Sequence, residues 1–197
     1  LEQAVAADPG VENLVALAQA SFIWGEVRAE TREGKLEAYD RGREAARRAV
    51  ALESQNVTAR FWYATNTARW GQAKGVFRSL FLLPTIQEEI GIILGLDPAF
   101  APVYALAGNV FYEVPRLLGG DLEKAEAAFR KGLALDPHFT AMRVGLAKTL
   151  LKKSRVAEAR QELLAVLEEP APRNRADWTL QDAREARVLL ESLRDGA

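Results

Sequence analysis

The chain has 197 residues, 49% hydrophobic and 27% charged, enough apolar content to bury a substantial core in one continuous domain, 1–197. Its 26 basic and 27 acidic residues are mixed along the sequence and leave a formal net charge of -1, which argues against nucleic acid as a partner. Cysteine is absent, so disulfides, thiolate metal sites and a cysteine nucleophile are excluded, and the compartment stays open on this count.

In chain order, Leu1 to Pro9 reads as the tail of a helical unit. The chain starts without an initiator methionine, which leaves room for a signal segment or lipid anchor ahead of Leu1. Apolar periodicity then predicts helices near 11–30, 35–53, 57–75, 76–95, 100–114, 121–135, 138–152, 155–168 and 178–194, with Asp177 as the cap of the last. Strand-like alternation is absent. The run from Val76 to Leu96 is the most apolar in the chain, but Arg78, Pro84, Gln87, Glu88 and Glu89 interrupt it, so no membrane span is expected. Its apolar residues surround the helix, which predicts burial by neighbours on both sides or one face turned to an apolar cavity or groove.

Repetition organises these helices. Leu96-Asp97-Pro98 recurs as Leu135-Asp136-Pro137, and in weaker form as Ala7-Asp8-Pro9 and Leu167-Glu168-Glu169-Pro170. Each closes a periodic helix; the proline starts a turn, and the aspartate is placed to cap the next helix. Tyr104, Ala107, Gly108 and Phe111, followed by Ala125 and Phe129, fit the tetratricopeptide pattern W-x2-L-G-x2-Y, A-x3-F. Arg143, Leu146, Ala147 and Leu150, then Ala159 and Leu163, repeat it, and the pairs Ala125/Ala159 and Phe129/Leu163 are each 34 residues apart. Small residues at Gly108 and Ala125 let paired helices approach, and Phe129 fills the gap beside them. The unit from Pro98 to Pro137 is 39 residues long, the excess lying where Pro115, Gly119 and Gly120 break the helix. In the same frame Ile86, Ile90 and Ile93 belong to the preceding unit, and Gly42, Ala46 and Ala49 to the one before.

The expected architecture is therefore all-α: a right-handed α-α superhelix of the tetratricopeptide type with irregular repeat lengths, in units near 11–54, 57–98, 100–137 and 138–170. A capping helix at 177–195 turns Leu180, Ala183, Ala186, Leu189, Leu190 and Leu193 to the open end of the stack.

From about Arg60 onward the sequence also resembles a narrower group. The residues that carry this are Arg60-Phe61-Trp62-Tyr63-Ala64, the segment from Leu106 to Pro115 with Gly119-Gly120-Asp121, and the irregular unit lengths. It is similar to the T components of TRAP transporters and to the helical domain of regulator-of-microtubule-dynamics proteins. The first resemblance implies a secreted bacterial lipoprotein, periplasmic or membrane-anchored, that works beside a solute-binding protein; the second implies binding of lipids or protein partners. Neither implies an enzyme.

The candidate ligand-facing residues are Phe61, Trp62, Phe77, Phe81, Tyr104 and Phe111, aromatic groups suited either to a hydrophobic ligand or to plain core packing. Asn109 and Glu113 lie four apart on one helix face, where Arg60 or Arg143 would meet them. The sole histidine, His138, starts a helix and needs only solvent. Glu88-Glu89 and Glu168-Glu169 are adjacent and so diverge to separate faces as surface charges. Arg41, Arg43, Arg47 and Arg48 alternate with acids, with Glu37 to Arg41 and Glu44 to Arg48 as natural pairs. No cofactor and no metal site are expected, and nucleotide-binding glycine loops are absent. Two rivals stand beside the extracytoplasmic accessory protein: a carrier enclosing a lipid in an apolar tunnel, and a cytoplasmic peptide-binding adaptor.

Overall fold

The computed structural model describes residues 2–195. All regular structure among them is helical: α1 (Glu2–Ala7), α2 (Val11–Val27), α3 (Arg32–Leu52), α4 (Val57–Lys74), α5 (Val76–Leu96), α6 (Ala101–Glu113), α7 (Leu122–Leu135), α8 (Thr140–Lys152), α9 (Val156–Glu168), α10 (Arg175–Asp177) and α11 (Ala183–Asp195). A 3-10 turn at Arg116–Leu118 precedes α7, and a π-helical turn at Trp178–Asp182 leads into α11. Contacts group these elements into two compact units, Leu1–Phe100 and Ala101–Ala197.

In the first unit the helices pack in chain order, α2 on α3, α3 on α4 and α4 on α5. Side-chain caps set two of their starts: Thr31 accepts from the Gly34 amide at 3.1 Å and Asn56 from the Ala59 amide at 2.9 Å. The core is built of small residues, Ala18, Ala45, Ala46, Ala49 and Ala59, around Leu14 and Val5, so backbones lie close and few large side chains are needed. Gly42 is required at one such approach, because a Cβ there would run into Asn66. Asn66 is fully buried and its Nδ2 donates to Ala18 O (3.2 Å) and Trp62 O (2.9 Å), tying α4 to α2.

In the second unit Phe129 is buried against two glycines. A Cβ on Gly108 would lie 2.6 Å from Phe129 Cε1, and one on Gly145 would lie 2.5 Å from Cζ. The expected roles of Gly108 and Phe129 are thus met, with Gly145 also close against the ring. The long unit is accommodated as expected at 115–120: Gly119 takes φ +102°, and Gly120 sits so tightly that any Cβ would strike Val114 O. Asp121 then caps α7, accepting from the amides of Glu123 (2.9 Å) and Lys124 (3.1 Å).

The two Leu-Asp-Pro phrases form the same turn, but not by capping the following helix. Asp97 and Asp136 end α5 and α7, and their Oδ1 atoms accept from Ala99 N (2.9 Å) and His138 N (3.1 Å) inside the turn. The side chain reaches the amide two residues on, before the next helix begins. Asp177 is likewise not the terminal cap. Asn174 accepts from the Ala176 and Asp177 amides, and its own Nδ2 donates to Asp177 Oδ2 at 2.6 Å. The cap helix buries Ala183 and Ala186 and packs Leu189, Leu190 and Leu193 on the core, while Leu180, in the π turn, remains exposed. Trp178 anchors that turn by donating from Nε1 to Val166 O at 2.7 Å.

Several charged residues differ from expectation. Glu89 is not a surface charge: it is buried on the inner face of α5, where Arg60 Nη1 donates to both its oxygens at 3.0 and 2.8 Å. Arg60 also donates to Ser54 O, and Arg143 donates to Glu162 and Pro137 O. Glu37 pairs with Arg41 as expected, but Glu44 takes Arg47, not Arg48. His138 Nδ1 lies 2.8 Å from Glu169 Oε1, joining two of the recurring turns where solvent had been expected.

Candidate binding surfaces

The six aromatic candidates divide between the two units, Phe61, Trp62, Phe77 and Phe81 in the first and Tyr104 and Phe111 in the second. In the first unit Phe61 and Trp62 belong to a cluster of tilted and edge-on rings: Phe22 and Trp62 centroids are 5.5 Å apart, Phe61 and Trp62 5.0 Å, Phe61 and Phe100 5.5 Å. Beside them Tyr39 donates from its hydroxyl to Glu26 at 2.7 Å; burial, then that carboxylate, pushes the phenol well above its ordinary range.

Phe77 and Phe81 are elsewhere in character, 91% and 73% exposed on α5. The expectation that neighbours cover α5 on both sides is corrected: its inner face, Ile86, Glu89 and Ile93, is buried, whereas Val76, Phe77, Phe81 and Pro84 look outward. One-sided packing against α4 leaves them bare. At that exposure the two phenylalanines line no enclosed cavity; they form an open apolar surface. By length and composition alone α5 is also the one helix among the described residues able to cross a membrane. Its buried Glu89, paired to Arg60 of α4, instead ties it into the unit.

The other two candidates belong to the second unit. Tyr104 and Phe111 are half-buried on α6, and Phe111 packs against the core with Lys124 Nζ 5.7 Å from its ring centroid. The more open surface lies beside them. Asn109 and Glu113 are exposed on α6, and Tyr112 between them is covered by cations from α8. Lys152 Nζ sits 3.6 Å from the Tyr112 ring centroid and donates to Tyr112 O at 3.2 Å; Lys148 Nζ is 5.8 Å from the ring and 2.8 Å from Glu185 of α11. These lysines were legible in the sequence: Lys148 and Lys152 stand 39 residues after Asn109 and Glu113, the length of that repeat. Equivalent positions on successive first helices therefore share a surface.

An ion-pair network joins α7 to the α8–α9 turn, where Arg130, Lys153 and Arg155 all meet Glu126. Burial raises the Glu126 carboxyl, but hydrogen bonds from Lys153, Arg130 and Arg155 outweigh it and hold the group down at about 2. Asp182 goes the other way. Burial pushes it up to about 6, against a single hydrogen bond from Thr140 Oγ1 at 2.6 Å. Among the described residues no group of three or more His, Asp or Glu is arranged to hold a metal ion.

Antiparallel helix pairs joined by Leu-Asp-Pro turns, with Gly108 and Ala125 admitting Phe129, define a tetratricopeptide-type repeat fold. Residues 117–182 match the family described as Tetratricopeptide repeat. No curated protein matches the chain in sequence. Among solved structures it is similar to a thermophilic TPR protein of Thermus thermophilus, with 24% identity and a TM-score of 0.71, covering 96% of this chain and 87% of that one. It is also similar to MamA, with 16% identity and a TM-score of 0.55, covering 85% of this chain and 83% of that one. At these identities the likeness establishes the fold.

Proposed function

We propose that the chain is a non-enzymatic protein-binding module, and that in its second unit a partner lies along the face shared by α6 and α8. The observation that supports this is the ladder of outward groups at equivalent repeat positions, Asn109 and Glu113 on one first helix, Lys148 and Lys152 on the next, with the Tyr112 ring between them. Two lysines whose positions are fixed against an aromatic ring offer donors to a carboxylate-bearing segment, while Asn109 both donates and accepts. Affinity purification from the native host tests this. A partner retained by the wild-type chain and lost by Lys148→Ser/Lys152→Ser, with helix content unchanged, supports the reading; retention of the same partners by the variant overturns it.

The resemblance of the segment from Arg60 onward to TRAP T components supports a solute-binding protein as that partner and an extracytoplasmic location. Immunoblotting of separated periplasmic, membrane and cytoplasmic fractions tests the location, and recovery in the cytoplasm alone refutes it.

A further inference from the structure

The first unit carries a surface of a different kind at the α4–α5 tip. Gly75, with φ +115°, makes the one-residue turn, and directly after it Val76, Phe77 and Phe81 project outward. Phe77 and Phe81 lie one helical turn apart on the same side of α5, and Pro84 continues that side for about 10 Å of helix from Phe77.

Cations frame this apolar strip. Arg43, Lys74 and Arg78 crowd the Trp70 ring at 4.5, 5.4 and 5.7 Å from its centroid, and Arg78 also lies 5.6 Å from the Phe81 centroid. Arg32 reaches the end of α4, donating to Ala73 O at 2.7 Å and Lys74 O at 2.9 Å. Residues 54–87 contain no Asp or Glu at all, in a chain with 27 acids, yet they include Arg60, Arg69, Lys74 and Arg78. Of the acids on neighbouring helices, Glu26 is paired with Arg69 and Asp40 with Arg43. Glu30 and Glu33 of the α2–α3 turn are matched in number by Arg28 and Arg32.

We propose that the α4–α5 tip docks peripherally on an anionic lipid surface, with Val76, Phe77 and Phe81 entering the headgroup–acyl boundary and Lys74 and Arg78 meeting lipid phosphates. Exposed phenylalanines at the tip of a rigid hairpin find in the bilayer interface the apolar medium that the fold denies them, and the depth of the strip matches the roughly 5–10 Å to which interfacial elements enter. Trp70, with an apolar body and a polar tip, suits the headgroup level. The charge pattern selects the occupant: a row of cations without intervening acids complements a continuous anionic surface. Glu88, Gly91 and Gly95 further along the outer side of α5 end the apolar strip, so the helix docks and does not span.

Sedimentation of the full chain with phosphatidylcholine vesicles, and with vesicles containing about one third phosphatidylglycerol, tests this. Binding to the anionic vesicles alone, weakening as salt rises, is expected. Phe77→Ser/Phe81→Ser should reduce binding by at least roughly tenfold, and Lys74→Ser/Arg78→Ser by about twentyfold, with circular dichroism unchanged in both because these side chains are outside the core. Absence of sedimentation with anionic vesicles overturns the proposal. So does undiminished binding by either variant, and so does a loss in Phe77→Ser/Phe81→Ser of self-association instead of lipid binding, which would assign the strip to a second copy of the chain.

Discussion

Replacing Gly108 by alanine puts two opposed effects on one atom. In an unhindered helix interior the change is favourable by about 1 kcal/mol, since alanine is the better helix former. At Gly108 the new Cβ falls 2.6 Å from Phe129 Cε1, inside contact distance, and the Gly145 backbone abuts the same Cε1–Cζ edge so closely that a Cβ there would lie 2.5 Å from Cζ, which leaves the ring little room to move. Overpacking of this kind costs about 1–3 kcal/mol, and a ring so confined places it in the upper half of that range. A net loss of about 1–2 kcal/mol is expected. Gly91 is the control: it is helical and exposed, and a Cβ there would meet nothing within 4 Å, so Gly91→Ala should gain about 0.5–1 kcal/mol. Urea denaturation followed by circular dichroism reads both. Phe129→Leu should cost less in the Gly108→Ala background than alone, the coupling expected of touching groups. If Gly108→Ala is as stable as wild type, or more so, the packing argument for the repeat is refuted.

Asp182 supplies a pH test. Its carboxyl is raised to about 6 in the folded chain, so between pH 4 and 6 the native state binds more protons than the unfolded one, and stability falls as pH rises through that window. Asp182→Asn keeps the bond to Thr140, should abolish that slope, and should stabilise the chain by about 1–3 kcal/mol at pH 7; a slope unchanged in the variant contradicts the assignment. Glu126 works in the opposite sense: its carboxyl is held at about 2, so its stabilisation is present above pH 4.5 and is lost on acidification, and Glu126→Gln should flatten the acid limb of the stability curve. Glu89→Gln leaves Arg60 half-buried without its carboxylate and should cost about 3 kcal/mol, measured by thermal unfolding, whereas a surface glutamate would cost under about 0.5 kcal/mol. Gly120→Ala, driven against Val114 O, should lose about 2–4 kcal/mol by the same measurement.

Most helices were legible because their determinants are local. Repeated Leu-Asp-Pro phrases, the 34-residue spacing of Ala125 with Ala159, and the breakers Pro115 and Gly119-Gly120 located the elements within a few residues. The candidate surfaces were less legible. Asn109 and Glu113 were found from spacing on one helix, and Lys148 and Lys152, which meet the Tyr112 ring, could have been found by carrying the repeat forward 39 residues. Phe77 and Phe81 were expected to face an apolar cavity or groove or to pack in a core, since an apolar sequence does not record whether a neighbour lies over it.

The sequence by itself determined the helical class, the tetratricopeptide repeat, the place of the long unit and the small-residue contacts around Phe129, because periodicity, proline, glycine and spacing act within one or two helices. Tertiary structure decided which charges are buried and which apolar residues stay bare. Glu89 looked like Glu88 until α4 brought Arg60 against it, and the Asp182 carboxyl rises only because the fold buries it, against the opposing hydrogen bond from Thr140 of α8. Whether α5 has one covered face or two depends on how many neighbours pack against it. The structure packs α4 on it, with Arg60 against Glu89, and leaves Phe77 and Phe81 facing outward.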